Sequence, residues 1–532
     1  DIFPGGRSPF KHVIYIIREN RSYDQVFGDL AKAGDGTAAD GDPSVAIFGA
    51  GEAAKSPSGK HQEITPNARA LALRFGLFDR FFVNAEASPD GHNWSTAAFS
   101  SDYVDKAYRW NYSRRGRTYD FEGVNRLPSY EPPGPIVAQN QPPVALAPVF
   151  DLPTTPDAVA DYNKRYVPYL NGARDIGEPD TLYLWDAAKR AGVTYRNYGE
   201  FIDTTSGADV NAVNVQRSKT YPDTSPTVVA FAVKKSLEGH FCPTARNFDL
   251  QTPDIMSPDS YKAALASKTV DPAIKLDNPD QRLQGTSRFG EWVREFDRYA
   301  ADRRGGKGDA LPALSILRFS NDHTAGLSRG QPTPQFYVAE NDYAIGRLVQ
   351  EVSNSPYWAD TAIFILEDDA QDGPDHVDAH RSPALVISAY NRPGALVHEF
   401  HNTVSLIRTM ELCIGLQPMN FLDANATPMA IFTNTPDMRP YEAQMPNVAL
   451  DNLFPPEKPN AAMAYYIRLT GEQDLTHADM ADPEALNAAI WYSVMRNDRT
   501  MPGVARLPAF QLMKQGMREE VKENRREDAG EE

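Results

Sequence analysis

The sequence predicts an α/β protein, a three-layer αβα sandwich around a mainly parallel central sheet, and three observations carry that expectation. Short apolar runs such as Val13-Ile14-Tyr15-Ile16-Ile17 and Ala362-Ile363-Phe364-Ile365-Leu366 lack the polar alternation of a half-exposed strand. Such runs suit parallel strands covered on both faces. They alternate with helical stretches of about 10–15 residues, as parallel connections require. Two of the runs also end in polar clusters about 350 residues apart, Glu19-Asn20 and Asp368-Asp369. In open α/β sheets, ligands bind in the crevice beyond the carboxyl ends of the strands. Burying three carboxylates together is costly unless a cation neutralises them, so the pair of clusters predicts a metal site.

The elements follow in order. A strand over 12–18 precedes a helix over 67–75 and the segment 77–101. From 106 to 180 the composition turns to Tyr, Arg, Gly and Pro, as in Pro132-Pro133-Gly134-Pro135, which predicts an irregular insertion serving as a substrate lid or binding loop. The αβ pattern resumes with a helix over 182–191 stopped by Gly192, then strands over 194–198 and 311–319. A helix over 340–353, strands over 361–366 and 384–390, and a helix over 403–414 complete it. The catalytic domain is expected over 10–440, with a C-terminal extension over 441–515 packed on it. In the extension, Asp482-Pro483-Glu484 combines a capping carboxylate with a first-turn proline and starts a helix. Residues 516–532 are almost wholly polar, a frayed charged tail.

A formal charge of −17 over 532 residues excludes nucleic acid as a partner, since phosphate-backbone binding needs a basic face. No apolar stretch approaches the roughly 18–20 residues that span a bilayer, so an integral membrane protein is not expected. The chain begins at Asp1 rather than Met, which reads as a trimmed form, and the expected location is secreted or periplasmic. The two cysteines, Cys242 and Cys413, exclude thiolate zinc sites, and their pairing is left open.

Four clusters carry chemistry. In Glu86-Ala87-Ser88-Pro89-Asp90-Gly91-His92, Ser88 at the cap and Pro89 at the first helical position suit a helix start. A serine at a helix N-terminus beside a divalent cation can lose its proton and attack phosphorus. Asp322-His323 follows the strand-like run 314–319, and His376 and His380 lie four apart beyond Asp368-Asp369. Imidazole with carboxylate suits zinc, manganese or iron, whereas the all-oxygen Glu/Asn/Asp/Asp set also suits calcium or magnesium. A calcium EF-hand loop starting at Asp368 is excluded by Ala370 and Ala379 at its third and twelfth positions. His398 and His401 precede the 403–414 helix and serve either the site or the helix start.

The core Glu19-Asn20-Arg21-Ser22-Tyr23-Asp24-Gln25-Val26-Phe27-Gly28 resembles the opening motif of the bacterial phosphoesterase family, which contains phospholipases C and an acid phosphatase and belongs to the alkaline phosphatase superfamily. The stretches 85–103, 321–326, 337–346 and 363–389 are similar to the branch often fused to a β-propeller. The resemblance implies an alkaline-phosphatase-like fold and hydrolysis of small phosphate esters. It makes Glu19, Asn20, Asp368 and Asp369 metal ligands and Ser88 the nucleophile of a phosphoseryl intermediate. Asp90, Gly91 and His92 stand where the phospholipase branch has an Asn-His or Asn-Arg pair. It places Asp322, His323, His376 and His380 at a second metal or at phosphate. Asp322 and His380 are taken as metal ligands, and His92, His323 and His376 as catalytic. The expected cofactor is one or two divalent ions, zinc first, with calcium, manganese or magnesium as alternatives. Arg114, Arg115 and Arg117 in the insertion are the expected substrate-binding residues. A sulfatase is disfavoured because Ser88 directly precedes Pro89 and no Arg follows at the required place. A catalytically silent, metal-stabilised scaffold is the remaining alternative.

Overall fold

The computed structural model describes residues 2–106, 177–206, 228–242 except 233, 287–456 except 329, 330 and 372, 458–473, 475, 481–495 and 501. Residues Asp1–Arg499 form one compact unit and Thr500–Glu532 a second. The central sheet of the first unit has five strands: β1 (His12–Arg18), β2 (Tyr195–Tyr198), β3 (Leu314–Arg318), β4 (Thr361–Glu367) and β5 (Ala384–Ser388). Their spatial order is β2-β3-β1-β4-β5. The first four run parallel and β5 is antiparallel to β4, so the mainly parallel sheet expected from the sequence is what forms.

The principal helices among the described residues are α1 (Pro66–Phe75), α2 (Ser88–Ala97), α3 (Leu184–Ala191), α4 (Arg288–Arg304), α5 (Pro334–Ser353), α6 (Thr403–Ile414), α7 (Ala461–Gly471) and α8 (Pro483–Met495). Helix α6 lies on β1 and β4, setting Val404, Leu406, Ile407 and Met410 in one core with Val13, Tyr15, Ile17, Phe364 and Leu366. Ile14, Ile16, Ile363 and Ile365 point the other way and are equally buried. Helix α1 packs on β5 and on α5.

With both faces apolar, alternation cannot choose the register of β1 against β4. The strand ends do. Arg18 pairs in register with Glu367, its Nη1 3.1 Å from Oε1, and its Nε lies 3.2 Å from Asp322 Oδ2. These side chains are fully buried, and separating such a pair costs about 3–5 kcal/mol. Just past the paired residues, Asp368 N donates to Arg18 O at 3.1 Å, which brings the end of β4 beside Glu19 and Asn20.

Three sequence expectations change. Strand β3 starts at Leu314 rather than 311, after Pro312. Helix α5 starts six residues before 340, at Pro334, with Thr333 Oγ1 accepting the Phe336 amide at 3.3 Å. Cys242 and Cys413 are both buried and are not joined in a disulfide. The 106–180 insertion, apart from 106 and 177–180, and with it Arg114, Arg115 and Arg117, lies outside the described residues, as does the charged tail. No described helix is long and apolar enough to cross a membrane.

Candidate metal and nucleophile site

Asn20 follows β1 in a left-handed conformation (φ 68°), where Asn is among the best-tolerated non-glycine residues. In one orientation of its side-chain amide, Nδ2 donates to Gln371 Oε1. Oδ1 then sits 3.0 Å from Asp368 Oδ1 and 3.3 Å from each oxygen of Asp369. Ser88 closes the group, donating to Asp369 Oδ2 at 2.9 Å and lying 3.4 Å from Asn20 Oδ1. Amide, carboxylates and hydroxyl are all buried. Oxygens facing oxygens repel unless a cation sits among them. Two ligands each about 2.1 Å from one ion stand about 3.0–3.4 Å apart, so these spacings suit a divalent metal. Turned over, the Asn20 amide would donate to the carboxylates instead.

Helix α2 begins at Ser88, one residue earlier than its sequence suggests. Ala87 is the extended residue before it, Pro89 is the second helical position, and no side chain caps the helix. Ser88 is thus not spent on capping, and its hydroxyl faces the carboxylates at the positive end of the helix. Gly91 lets this happen. A Cβ there would meet the Asp368 carbonyl oxygen at 2.9 Å, so the helix rests on the strand end itself.

His92, one turn along α2, is buried with Nδ1 2.9 Å from Glu200 Oε1. Its Nε2 faces Asp368 Oδ2 at 3.4 Å and Glu19 Oε1 at 3.8 Å. Neither Nε2 nor Asp368 Oδ2 has a hydrogen bond. Glu19 accepts from Arg318 Nε at 2.7 Å. Burial opposes its charge, but Arg318, aided by His323 and His92, holds it at about 2. Burial also opposes charge on His92, yet Glu200 and then Asp368 raise it to about 9.

The other expected residues have these partners. Asp322 accepts the Glu19 amide at 3.1 Å and pairs with Arg18, beneath the cage. His323 is bonded through Nδ1 to Thr324 O at 3.1 Å. The segment around His376 and His380 is turns and bends, not a helix. His376 bridges Asp24 Oδ2 at 2.5 Å and Asp40 Oδ1 at 3.0 Å, and His380 binds Asp378 at 3.0 Å. Asp24, Asp375 and His376 have ligand atoms within 4.8 Å of one another. Arg381 already pairs with Asp24 at 2.7 Å and with Asp375 at 2.9 Å, so this group is a neutralised clamp. His398 contacts Asp79 at 2.9 Å.

No protein-family model matches the chain, and no curated protein does. Among solved structures it is similar to a protein in the alkaline phosphatase superfamily from Vibrio parahaemolyticus, at 15% identity over 78% of this chain and 69% of that one, with a TM-score of 0.35. It is similar to a phosphonate monoester hydrolase of Agrobacterium radiobacter at 15% identity, over 77% and 75% of the two chains, with a TM-score of 0.34. It is also similar to the lipoteichoic acid synthase LtaP from Listeria monocytogenes at 9% identity, over 93% of each chain, with a TM-score of 0.36. Likenesses at this level leave the chemistry to the residues of the site.

Those residues include Glu200, Arg318 and Gln371, which sequence reasoning missed. Arg318 is the last residue of β3, and Glu200 lies two residues past β2. The strand-end rule that found Glu19 and Asp368 reaches both when applied to every parallel strand. Gln371 carries no comparable signal.

In the metal-free protein, burial raises Asp368 to about 7, and burial with the neighbouring Asp368 charge raises Asp369 well above the carboxylate range. Both pKa values exceed the unfolded value of about 3.9. Their unfavourable ionisation therefore costs nothing below about pH 4 and destabilises the metal-free fold increasingly above it, reaching its full size for Asp368 above about 7 while Asp369 goes on adding to it. A bound cation removes that cost and displaces the protons. The rise in melting temperature on adding zinc or manganese to chelated protein is expected to widen by several degrees from pH 5 to pH 8. A rise that is equal at both pH values, by scanning calorimetry, would contradict this assignment of ligands.

Proposed function

We propose that this protein hydrolyses phosphate esters, monoesters or diesters, through a phosphoseryl intermediate on Ser88. One observation carries the reading: a buried serine hydroxyl, free of capping, set at a helix N-terminus within a buried oxygen cage whose spacings suit a divalent cation. Asn20, Asp368 and Asp369 would hold a divalent ion. His92, held as a cation by Glu200, and Glu19 flank the second oxygen of Asp368 rather than closing a second cage, so this cage accounts for one ion. Once bound, the metal supplies the positive charge that makes the Ser88 oxygen nucleophilic and stabilises charge on the phosphoryl oxygens.

The chain's own residues do the rest. Ser88 Oγ attacks phosphorus as its proton passes by way of Asp369 Oδ2 to the ester oxygen, whose bond to phosphorus breaks so that the alcohol leaves. Water then attacks the phosphoserine, the P–Oγ bond breaks, and the proton given up by the water passes by way of Asp369 to Oγ. Arg318 and the free N–H groups at the start of α2 present positive ends to the phosphate. His92, charged and fixed by Glu200, adds a third.

The test is hydrolysis of a chromogenic phosphate monoester, a phosphate diester and a sulfate ester by intact protein, before and after chelation and after metal return. Phosphate ester turnover lost on chelation and restored by metal is expected. Turnover of the sulfate ester alone would move the chemistry to sulfate. Metal-dependent stability without any turnover would favour the scaffold.

A further inference from the structure

The far side of the Asn20 amide rests on Gln371, and Gln371 is itself held in an uncommon way. It is a non-glycine residue at φ 34°, buried, inside the turn closed by Gly373 N donating to Ala370 O at 2.9 Å. Left-handed backbone of this kind persists only where its surroundings fix it. The surroundings come from about 115 residues further along the chain. Asn487 on α8, also buried, donates through Nδ2 to the Gln371 carbonyl.

Helix α8 is not free to move away. Asp482 Oδ1 caps it by accepting the Ala485 amide at 3.0 Å. Tyr492 Oη bonds Asn460 Oδ1 at 3.0 Å, and Tyr492 packs with Leu327, Met463 and Ile467. At Gly326 a Cβ would already stand 3.0 Å from the Leu486 methyl, so the loop after β3 presses directly on this helix.

We propose that Asn487 is a positioning residue of the metal cage. Its bond sets the Gln371 backbone, the Gln371 side chain takes the Asn20 amide nitrogen, and the Asn20 oxygen is left facing Asp368 and Asp369. The C-terminal extension is then part of the site rather than an appendage to it. This rests on the metal reading given above. Partners one shell away from a ligand typically change metal affinity by about 10–100-fold when removed.

The test is metal affinity, measured by calorimetric titration of zinc and, separately, manganese into chelated full-length protein. Asn487→Ala and the similarly sized Asn487→Leu, which keeps the volume without the donor, should each bind at least about 10-fold more weakly. Tyr492→Phe loosens the same helix without touching Gln371 and should lower the melting temperature while leaving affinity unchanged. Wild-type affinity in both Asn487 variants overturns the relay alone. Equal weakening in Tyr492→Phe also overturns it, because general loosening would then explain the effect. An intact protein that binds neither metal overturns the metal reading and the relay together.

Discussion

Ser88→Ala is expected to lower kcat/KM for phosphate ester hydrolysis by at least about 10³-fold, with the fold and the metal-induced rise in melting temperature retained. The size follows from the role. Removing a nucleophile that acts as a unit with its activating groups typically costs about 10⁴–10⁶ in kcat, and the remaining electrostatic groups leave some catalysis over water. The retained stability follows from the structure. Ser88 caps nothing, and its hydroxyl meets Asp369 and Asn20 rather than the backbone of its helix. If Ser88 served only to cap α2, its loss would instead cost about 0.5–2 kcal/mol of stability and little activity. The two roles therefore predict opposite patterns of rate and melting temperature. Full hydrolysis by well-folded Ser88→Ala would remove the serine from the chemistry and leave the carboxylates to activate water directly.

The parts of this site that the sequence discloses are those that strand ends determine. Glu19-Asn20 and Asp368-Asp369 each close an apolar run, and parallel pairing brings such ends together whatever lies between them in the chain. Strand β1 over 12–18 and helix α6 over 403–414 are legible for a similar reason, because both the pattern and the end signals are local. What sequence reasoning cannot see is which distant side chain satisfies which buried group. Histidines four apart look like a ligand pair, yet His376 and His380 sit in bends where nearby aspartates claim each ring. Asp322 follows a parallel strand just as Asp368 does, but the buried guanidinium of Arg18 draws it beneath the sheet end. Asn487 carries no signal at all, since its partner is a backbone carbonyl made available only by an unusual turn.

Gly91→Ala is the sharper test of how the nucleophile is placed. By helix propensity alone the change should stabilise α2, by about 0.5–1 kcal/mol, because glycine is the poorer helix former. Contact geometry opposes it. The new Cβ would lie 2.9 Å from the carbonyl oxygen of Asp368 and 3.1 Å from its carbonyl carbon. These are backbone atoms of a residue next to β4, so no rotamer change relieves them, and the helix has to lift by several tenths of an ångström. Overpacking of this kind costs about 1–3 kcal/mol, partly offset by the propensity gain, so the net loss of stability is modest. The effect on rate is not. Ser88 lies three residues away on the same helix, and its 2.9 Å contact with Asp369 depends on where that helix sits. Misplacing a reacting group by about 1 Å can cost about 10²-fold, and a comparable fall in kcat/KM is expected here with the melting temperature lowered by only a few degrees. Unchanged activity in Gly91→Ala would show that the helix is not seated on the strand end. A fall in activity matched by loss of metal binding would show that Asp368, rather than Ser88, is what moves.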